Sequence, residues 1–319
     1  MTLSCRSLIA VAATALLFPA ASFGDDWVGP STGGEFNVAA HWGTGSAPGE
    51  DVISNVIGDV VVERSRDSTT GVVIVNQGAT LNVTDGTHAD TKSGRRNRNV
   101  VGGEGTGTVN QSGGSLNIQH MLVVGRGKKN GGTYRLTGGD LKITRSGLSF
   151  LAGKKRKGTS LEIGVSGARG HVLVSGGTLI TRSGLGVGPG GVFEVSGSGA
   201  KSIGIGSHHT SDGAYYQRSG GVLRVGLDAT GVTPLFVDEV DGDPAKGDNG
   251  DVTFDSGAVL EPYDAGGAAA YQWTTVMHWE GELNDQGLAL SSGSASAGWE
   301  MRVQDKMLQV RQMAPAEPE

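Results

Sequence analysis

One short phrase limits what this chain can fold into. It spans Val109–Leu116 (Val-Asn-Gln-Ser-Gly-Gly-Ser-Leu), Tyr134–Leu141, Val172–Leu179 and Tyr216–Leu223, with a degenerate copy from Phe193 through Ser196-Gly-Ser. Between copies sits a second phrase, an aliphatic residue followed by glycine: Val101-Gly102, Val124-Gly125, Ile163-Gly164, Val187-Gly188 and Ile205-Gly206. Two strand phrases per repeat with glycine-rich turns between them are the mark of a stacked β architecture. The expected fold is all-β: a single-stranded, right-handed parallel β-helix with aromatic-rich caps at both ends. Right-handedness is the default for strand–crossover–strand connections.

The phrase also sets the size of each coil. Its Ser/Thr-Gly-Gly anchors fall 25, 38, 21 and 23 residues apart. A coil of that length fits three short strands and three turns, and coils stack at ~4.8 Å, giving about 8–10 coils over about 40–50 Å. In-register stacking would align Leu116, Leu141, Leu179 and Leu223 as an interior row. Ile143-Thr-Arg-Ser-Gly-Leu148 recurs as Ile180-Thr-Arg-Ser-Gly-Leu185. Aligning the two places the excess of the long interval after Gly153, as a basic insertion near residues 154–167. Glycine, 56 of 319 residues, follows no Gly-X-Y period, which excludes collagen. Few segments carry a helical apolar period, so a helix-rich core is not expected.

Residues 1–24 have the form of a secretory signal peptide. Arg6 gives the positive end, Leu8–Ala21 the apolar run and Ser22-Phe-Gly24 a small-x-small cleavage site. The apolar run is shorter than the ~20 residues of a membrane span. Cys5, the only cysteine, would leave with the signal, so the mature chain is expected to have no thiol, disulfide or membrane span. The expected location is extracellular or cell-surface, with the periplasm as an alternative.

Residues 25–51 carry Trp27-Val-Gly, Phe36, His41-Trp42-Gly and Pro48-Gly-Glu-Asp51 ahead of the strands, which suits an N-terminal cap. All five tryptophans lie outside the repeats, as capping of the apolar ends of a coil stack would require. The remaining plan is coils over 52–262, a C-terminal β cap over 263–311 and a disordered tail over 312–319. The Trp-Gly, Trp-x-x-Gly and Pro-Gly-x-Asp signals followed by Ser-Gly-Gly-x-Leu coils resemble a group of secreted bacterial β-helix proteins with autotransporter-passenger-like strand repeats. Many of its members carry a C-terminal sorting tail. The tail Gln312–Glu319 shows no apolar span or basic end of that kind. The resemblance implies the fold and a surface or matrix setting.

Charge is distributed in blocks. Residues 91–171 hold 15 Lys+Arg against 3 Asp+Glu, residues 25–90 hold 2 against 10, and residues 228–319 hold 4 against 17. Arg126, Lys128 and Lys129 follow Val124-Gly125, and Arg169 follows Ile163-Gly164. Lys154, Lys155, Arg156 and Lys157 follow Gly153, in what the alignment makes the same inter-strand turn. Stacked cations at ~5 Å repel unless solvent or an anion screens them. They form either an edge for an acidic or sulfated polysaccharide or other cell-envelope polyanion, or a solvated rim that protects the sheet edge. Self-association of acidic ends with the basic middle is a third option. Specific nucleic-acid readout is not expected, because aromatics are not interleaved with the cations.

Chemistry is poorly signalled. The acidic run Asp238–Asp251 fails EF-hand spacing, because Gly242 as sixth loop residue puts Val237 first, so a solvated loop is favoured over a calcium site. A polysaccharide lyase or glycosidase would need two positioned carboxylates or an equivalent site. Residues 100–225 offer Glu104, Asp140, Glu162, Glu194 and Asp212, with no recognisable pairing between adjacent repeats. No catalytic residue, metal ligand or cofactor is expected. The expected role is a non-enzymatic structural or adhesive module, with binding of an anionic polysaccharide as the alternative and polysaccharide cleavage as a third reading.

Overall fold

The computed structural model describes residues 34–35, 40, 60–62, 74–75, 79–83, 87–90, 98–103, 106–118, 121–127, 131–144, 147–148, 151, 157–206, 214–238, 250–269 and 271–313. Among them the chain is almost entirely β, with one short helix, Ser292–Ser296. The expected signal peptide, most of the expected N-terminal cap, residues 239–249 of the acidic run and the end of the tail lie outside the described residues.

The strands pair in three ladders. Ladder A runs through Ile74–Val75, Arg98–Val101, Met121–Arg126, Leu161–Val165, Leu185–Val187, Tyr215–Gln217, Val252–Phe254 and Leu283–Asp285, every neighbour parallel. Ladder B starts at Ala79–Val83 and passes through Thr106–Gln111, Gly191–Ser196, Val222–Asp228 and Val259–Gly266. Ladder C contains Ser115–Ile118, Ala200–Gly206, Leu235–Asp238 and Thr274–Trp279. The long strands Gly131–Ile143 and Arg169–Thr181 lend their first halves to B and their second halves to C. The chain therefore visits A, B and C in turn, again and again. The pairing is nonetheless mixed. Thr274–Trp279, Met307–Gln312 and Trp299–Gln304 are joined antiparallel at the C-terminal end, and Gly147–Leu148 pairs antiparallel with Lys157–Thr159.

Strand alternation sends every second side chain inward, and register stacks those residues in rows. On ladder C, Leu116, Leu141 and Leu179 stand in one row, continued by Ile203, Leu235 and Met277, all buried. Leu223 is not in that row. It stands on ladder B with Phe193 and Leu260. The cause is local: the Gly-Gly turns at Gly113, Gly138 and Gly176 join B to C, whereas Ser219-Gly220-Gly221 joins A to B. The phrase is turn chemistry that serves either corner. Each such buried leucine contributes roughly 1.5–3 kcal/mol.

Two buried glutamines show how the corners are satisfied. Gln111 donates from Nε2 to the Asp140 carbonyl at 2.9 Å, and its Oε1 accepts from the Tyr134 hydroxyl at 2.6 Å. Gln217 repeats the arrangement at another corner, donating to the Gly221 and Val259 carbonyls at 2.7 and 2.8 Å and accepting from Tyr215 at 2.9 Å. Each replaces main-chain bonds that the turn interrupts. Burial pushes both phenols far above their ordinary range.

The insertion is not where the repeated Ile-Thr-Arg-Ser-Gly-Leu segments put it. Aligning the two segments puts Ala152-Gly153 level with Val187-Gly188, but in the ladder A strand Ile163 stands opposite Val187, and Leu161 opposite Leu122 and Leu185. The excess therefore precedes that strand, at the C-to-A corner. It falls between Ile143 and Leu161, an interval of which residues 145–146, 149–150 and 152–156 lie outside the described residues. Leu185 enters ladder A directly, while Leu148 pairs backwards with Lys157. The excursion returns across the outside of ladder A, where Leu151 packs against buried Met121, Val123 and Val165.

The corners are crowded enough to test. Gly177 has φ +71°, and a Cβ there would lie 2.2 Å from the Gly139 carbonyl oxygen of the strand below. Gly167 has φ +76° but open space around the same position. We expect Gly177→Ala to cost at least ~3 kcal/mol in urea unfolding and Gly167→Ala only about 1 kcal/mol, because the latter adds backbone strain without a clash.

Candidate functional site

Of the described cations singled out from the sequence, Arg126 and Arg169 flank one inter-strand corner and Lys157 stands apart from it. Arg126 ends its ladder A strand opposite Val165, and Arg169 begins its strand opposite Gly131. They stand on the two sides of the A-to-B corner in successive rounds. Arg126 is half-buried and Arg169 exposed. Lys157 is removed from that corner, because it begins an antiparallel strand of the excursion opposite Leu148. Lys128, Lys129, Lys154, Lys155 and Arg156 lie outside the described residues.

Register assembles a different group, on the outer side of ladder B. Glu194, Arg224 and Glu261 occupy the same position in three successive strands. Arg224 donates from Nε and Nη2 to Glu261 Oε2 at 3.1 and 2.9 Å, and its Nη1 stands 3.7 Å from Glu194 Oε2. His171 Nε2 lies 2.8 Å from the same Glu194 oxygen. The Tyr263 hydroxyl donates to Glu194 Oε1 at 2.7 Å and lies 3.0 Å from Ser196 Oγ. Gly226 makes this possible: a Cβ there would stand 2.5 Å from Tyr263 Cζ, so only glycine lets the ring cross the strand.

Electrostatics follows from the contacts. Burial alone would raise the Glu194 carboxyl, but the bonds from His171 and Tyr263 and the nearby charges of His171 and Arg224 outweigh it, holding the group below its ordinary range. Burial would lower Arg224, and the bond and charge of Glu261, with the charge of Glu194, raise it instead. Tyr263 is raised, first by burial and then by its bond to Glu194. Glycoside cleavage by a carboxylate pair needs one member protonated and room for a water or sugar oxygen between them. Here Glu194 is held as a carboxylate, and Arg224 fills the space between it and Glu261. The arrangement is a clamp of alternating charge across three rounds.

A second polar group lies beneath the excursion. Glu162 is fully buried on the outer side of ladder A and accepts from the Tyr216 hydroxyl at 2.9 Å and from the Leu151 amide at 3.3 Å. Arg218 donates to the Leu151 carbonyl at 3.1 Å while paired with Asp255 at 3.2 Å. Leu151 is thus bound at both its main-chain groups, which fastens the excursion to the sheet. Among the described residues no cluster of three or more His, Cys, Asp or Glu could hold a metal ion, and no helix is long and apolar enough to cross a membrane.

A carboxyl whose folded pKa is depressed contributes stability that is present above its unfolded value, ~4.3, and lost as pH falls through the folded value. Wild-type stability should therefore fall on acidification below about pH 4.5, with Glu194 supplying part of the slope. We expect Glu194→Gln to cost about 1–3 kcal/mol at pH 7 and to show a shallower acid-side decline, read from urea midpoints between about pH 7 and pH 3. An unchanged slope would remove Glu194 from the account.

No family model, curated protein or solved structure matches the chain.

Proposed function

We propose that this chain is a secreted, right-handed, single-stranded parallel β-helix acting as a non-enzymatic structural or adhesive module of the cell surface or extracellular matrix. The repeated A-to-B-to-C order of the strands supports the helical reading, and right-handed connections are the default for such crossovers. The observation that carries the functional reading is the linkage of outer charges along the long axis. His171, Glu194, Arg224 and Glu261 join successive rounds through one another, as Arg218 joins Asp255. Side chains engaged in this way stiffen a rod. Export rests on the pattern of Arg6, Leu8–Ala21 and Ser22-Phe-Gly24.

A second reading, binding of an anionic polysaccharide or other envelope polyanion, is favoured by Arg126 and Arg169 flanking one corner in successive rounds. Lys128, Lys129, Lys154, Lys155 and Arg156 would extend the same basic region.

Two measurements bear on these readings. N-terminal sequencing of the exported chain should begin at Asp25, and the protein adsorbed to a surface should promote cell attachment. An unprocessed, intracellular protein would defeat the first reading. On a sulfated-glycan column, a variant with Arg126, Arg169 and Lys154–Lys157 replaced by Ser should elute at distinctly lower salt if the basic region binds polyanions. Unchanged elution would eliminate the second reading.

A further inference from the structure

The antiparallel hairpin formed by Trp299–Gln304 and Met307–Gln312 differs from the ladders in chemistry as well as pairing. Residues 228–319 hold 4 cations against 17 acids, yet Arg302, Lys306 and Arg311 all fall on this hairpin. Trp273 lies against it. The guanidinium carbons of Arg302 and Arg311 stand 4.3 and 4.5 Å from the centre of its ring, within range of a cation–π contact.

The cations are not equally engaged. Arg311 is paired with Glu300 at 2.7 Å, and Lys306 donates to the Glu280 carbonyl. Arg302 donates from Nε to Gln309 Oε1 at 2.8 Å and has no carboxylate partner among the described residues. It is a guanidinium pinned at one edge by Gln309 and stacked on Trp273, with its terminal nitrogens left over. A planar fork fixed in this way is preorganised for two-pronged recognition of a carboxylate.

Tyr271 supplies the second element. It is 57% exposed, and its φ of +67° is a left-handed conformation that bulky residues rarely adopt. Its amide donates to the Gln312 carbonyl at 2.8 Å, which ties it to the end of the same hairpin. Strain of this kind persists where surrounding structure imposes it, and it concentrates at functional sites.

We propose that the hairpin is a binding site for an acidic saccharide, a uronate-bearing chain, with Arg302 taking the carboxylate and Tyr271 stacking on the sugar ring. The surroundings favour a sugar over a protein: a protein hot spot needs a desolvated apolar pocket, whereas Arg302 is surrounded by polar groups, with Gln309 bonded to both Arg302 and Thr275. Val303, the other exposed apolar side chain of the hairpin, is in register with buried Leu308 and so lies on the opposite side of the sheet from Arg302. The site is separate from the A-to-B corner and does not depend on the basic region there.

Affinity electrophoresis of the exported protein in gels containing polygalacturonate tests the assignment, with dextran as neutral control and polyglutamate as peptide control. Polygalacturonate should retard the wild type, and dextran should not. Arg302→Gln should weaken binding about tenfold, the size of one lost charge-assisted contact. Tyr271→Gly should weaken it similarly while leaving the melting temperature equal or higher, because glycine relieves the left-handed strain. A merely structural tyrosine would not give that combination. Replacing Lys154–Lys157 with Ser should leave retardation unchanged. The proposal is overturned if the wild type is not retarded, if neither hairpin variant changes retardation, if the Lys154–Lys157 variant alone loses it, or if polyglutamate binds as well as polygalacturonate.

Discussion

The rest of the structure depends on main-chain stacking in register. Along the three ladders strands hydrogen-bond their parallel neighbours in register, so each turn must recur where the neighbouring turn left room for it. At the corners that room is very small. A Cβ at Gly132, Gly138, Gly170, Gly176 or Gly177 would stand 2.1–2.3 Å from a carbonyl oxygen of an adjacent round. High glycine content is therefore a steric consequence of bringing one turn onto another. It is not a sign of flexibility, and the buried rows of leucine, isoleucine and valine between the corners show how ordered the stack is.

Stacking also rules the outer face. Equivalent outward positions lie one strand spacing apart, close enough for like charges to repel and unlike charges to bond. Ladder B answers with alternation: Glu194, Arg224 and Glu261. The rows on either side bring in His171 and Tyr263, the latter only because Gly226 lacks a side chain. Ladder A solves the problem by burial, under an excursion held through Glu162, Tyr216 and Arg218. These are two solutions to one constraint.

Legibility in the sequence divides along the same line. The row Leu116, Leu141 and Leu179 could be read because one phrase fixes both turn and core residue. Leu223 could not, since Ser-Gly-Gly suits any tight corner and does not say which. The identical segments at Ile143 and Ile180 misled for a related reason: local sequence permits two outcomes, and the residues after each segment decide between strand pairing and hairpin. The cluster around Glu194 was invisible because its partners are 23 residues away at His171 and 69 at Tyr263. Corners of unequal length set that register, and their lengths cannot be read from spacing alone.

The C-terminal end is where the stacking rule lapses. Once Met307–Gln312 pairs antiparallel with Thr274–Trp279, no equivalent position succeeds it in a further round, and alternation no longer constrains which charge stands where. Trp279 and Trp299 are buried in the core cluster. Trp273 instead meets two arginines, one of them without a carboxylate among the described residues, beside a strained and exposed tyrosine. Inside the ladders, such a guanidinium would confront whatever its neighbouring rounds carried. At the C-terminal hairpin its neighbours are instead Gln309 and the Trp273 ring. A repeating scaffold gives its non-repeating chemistry the most freedom at its ends, and here the arginine stacked on Trp273 and the exposed Tyr271 occur together.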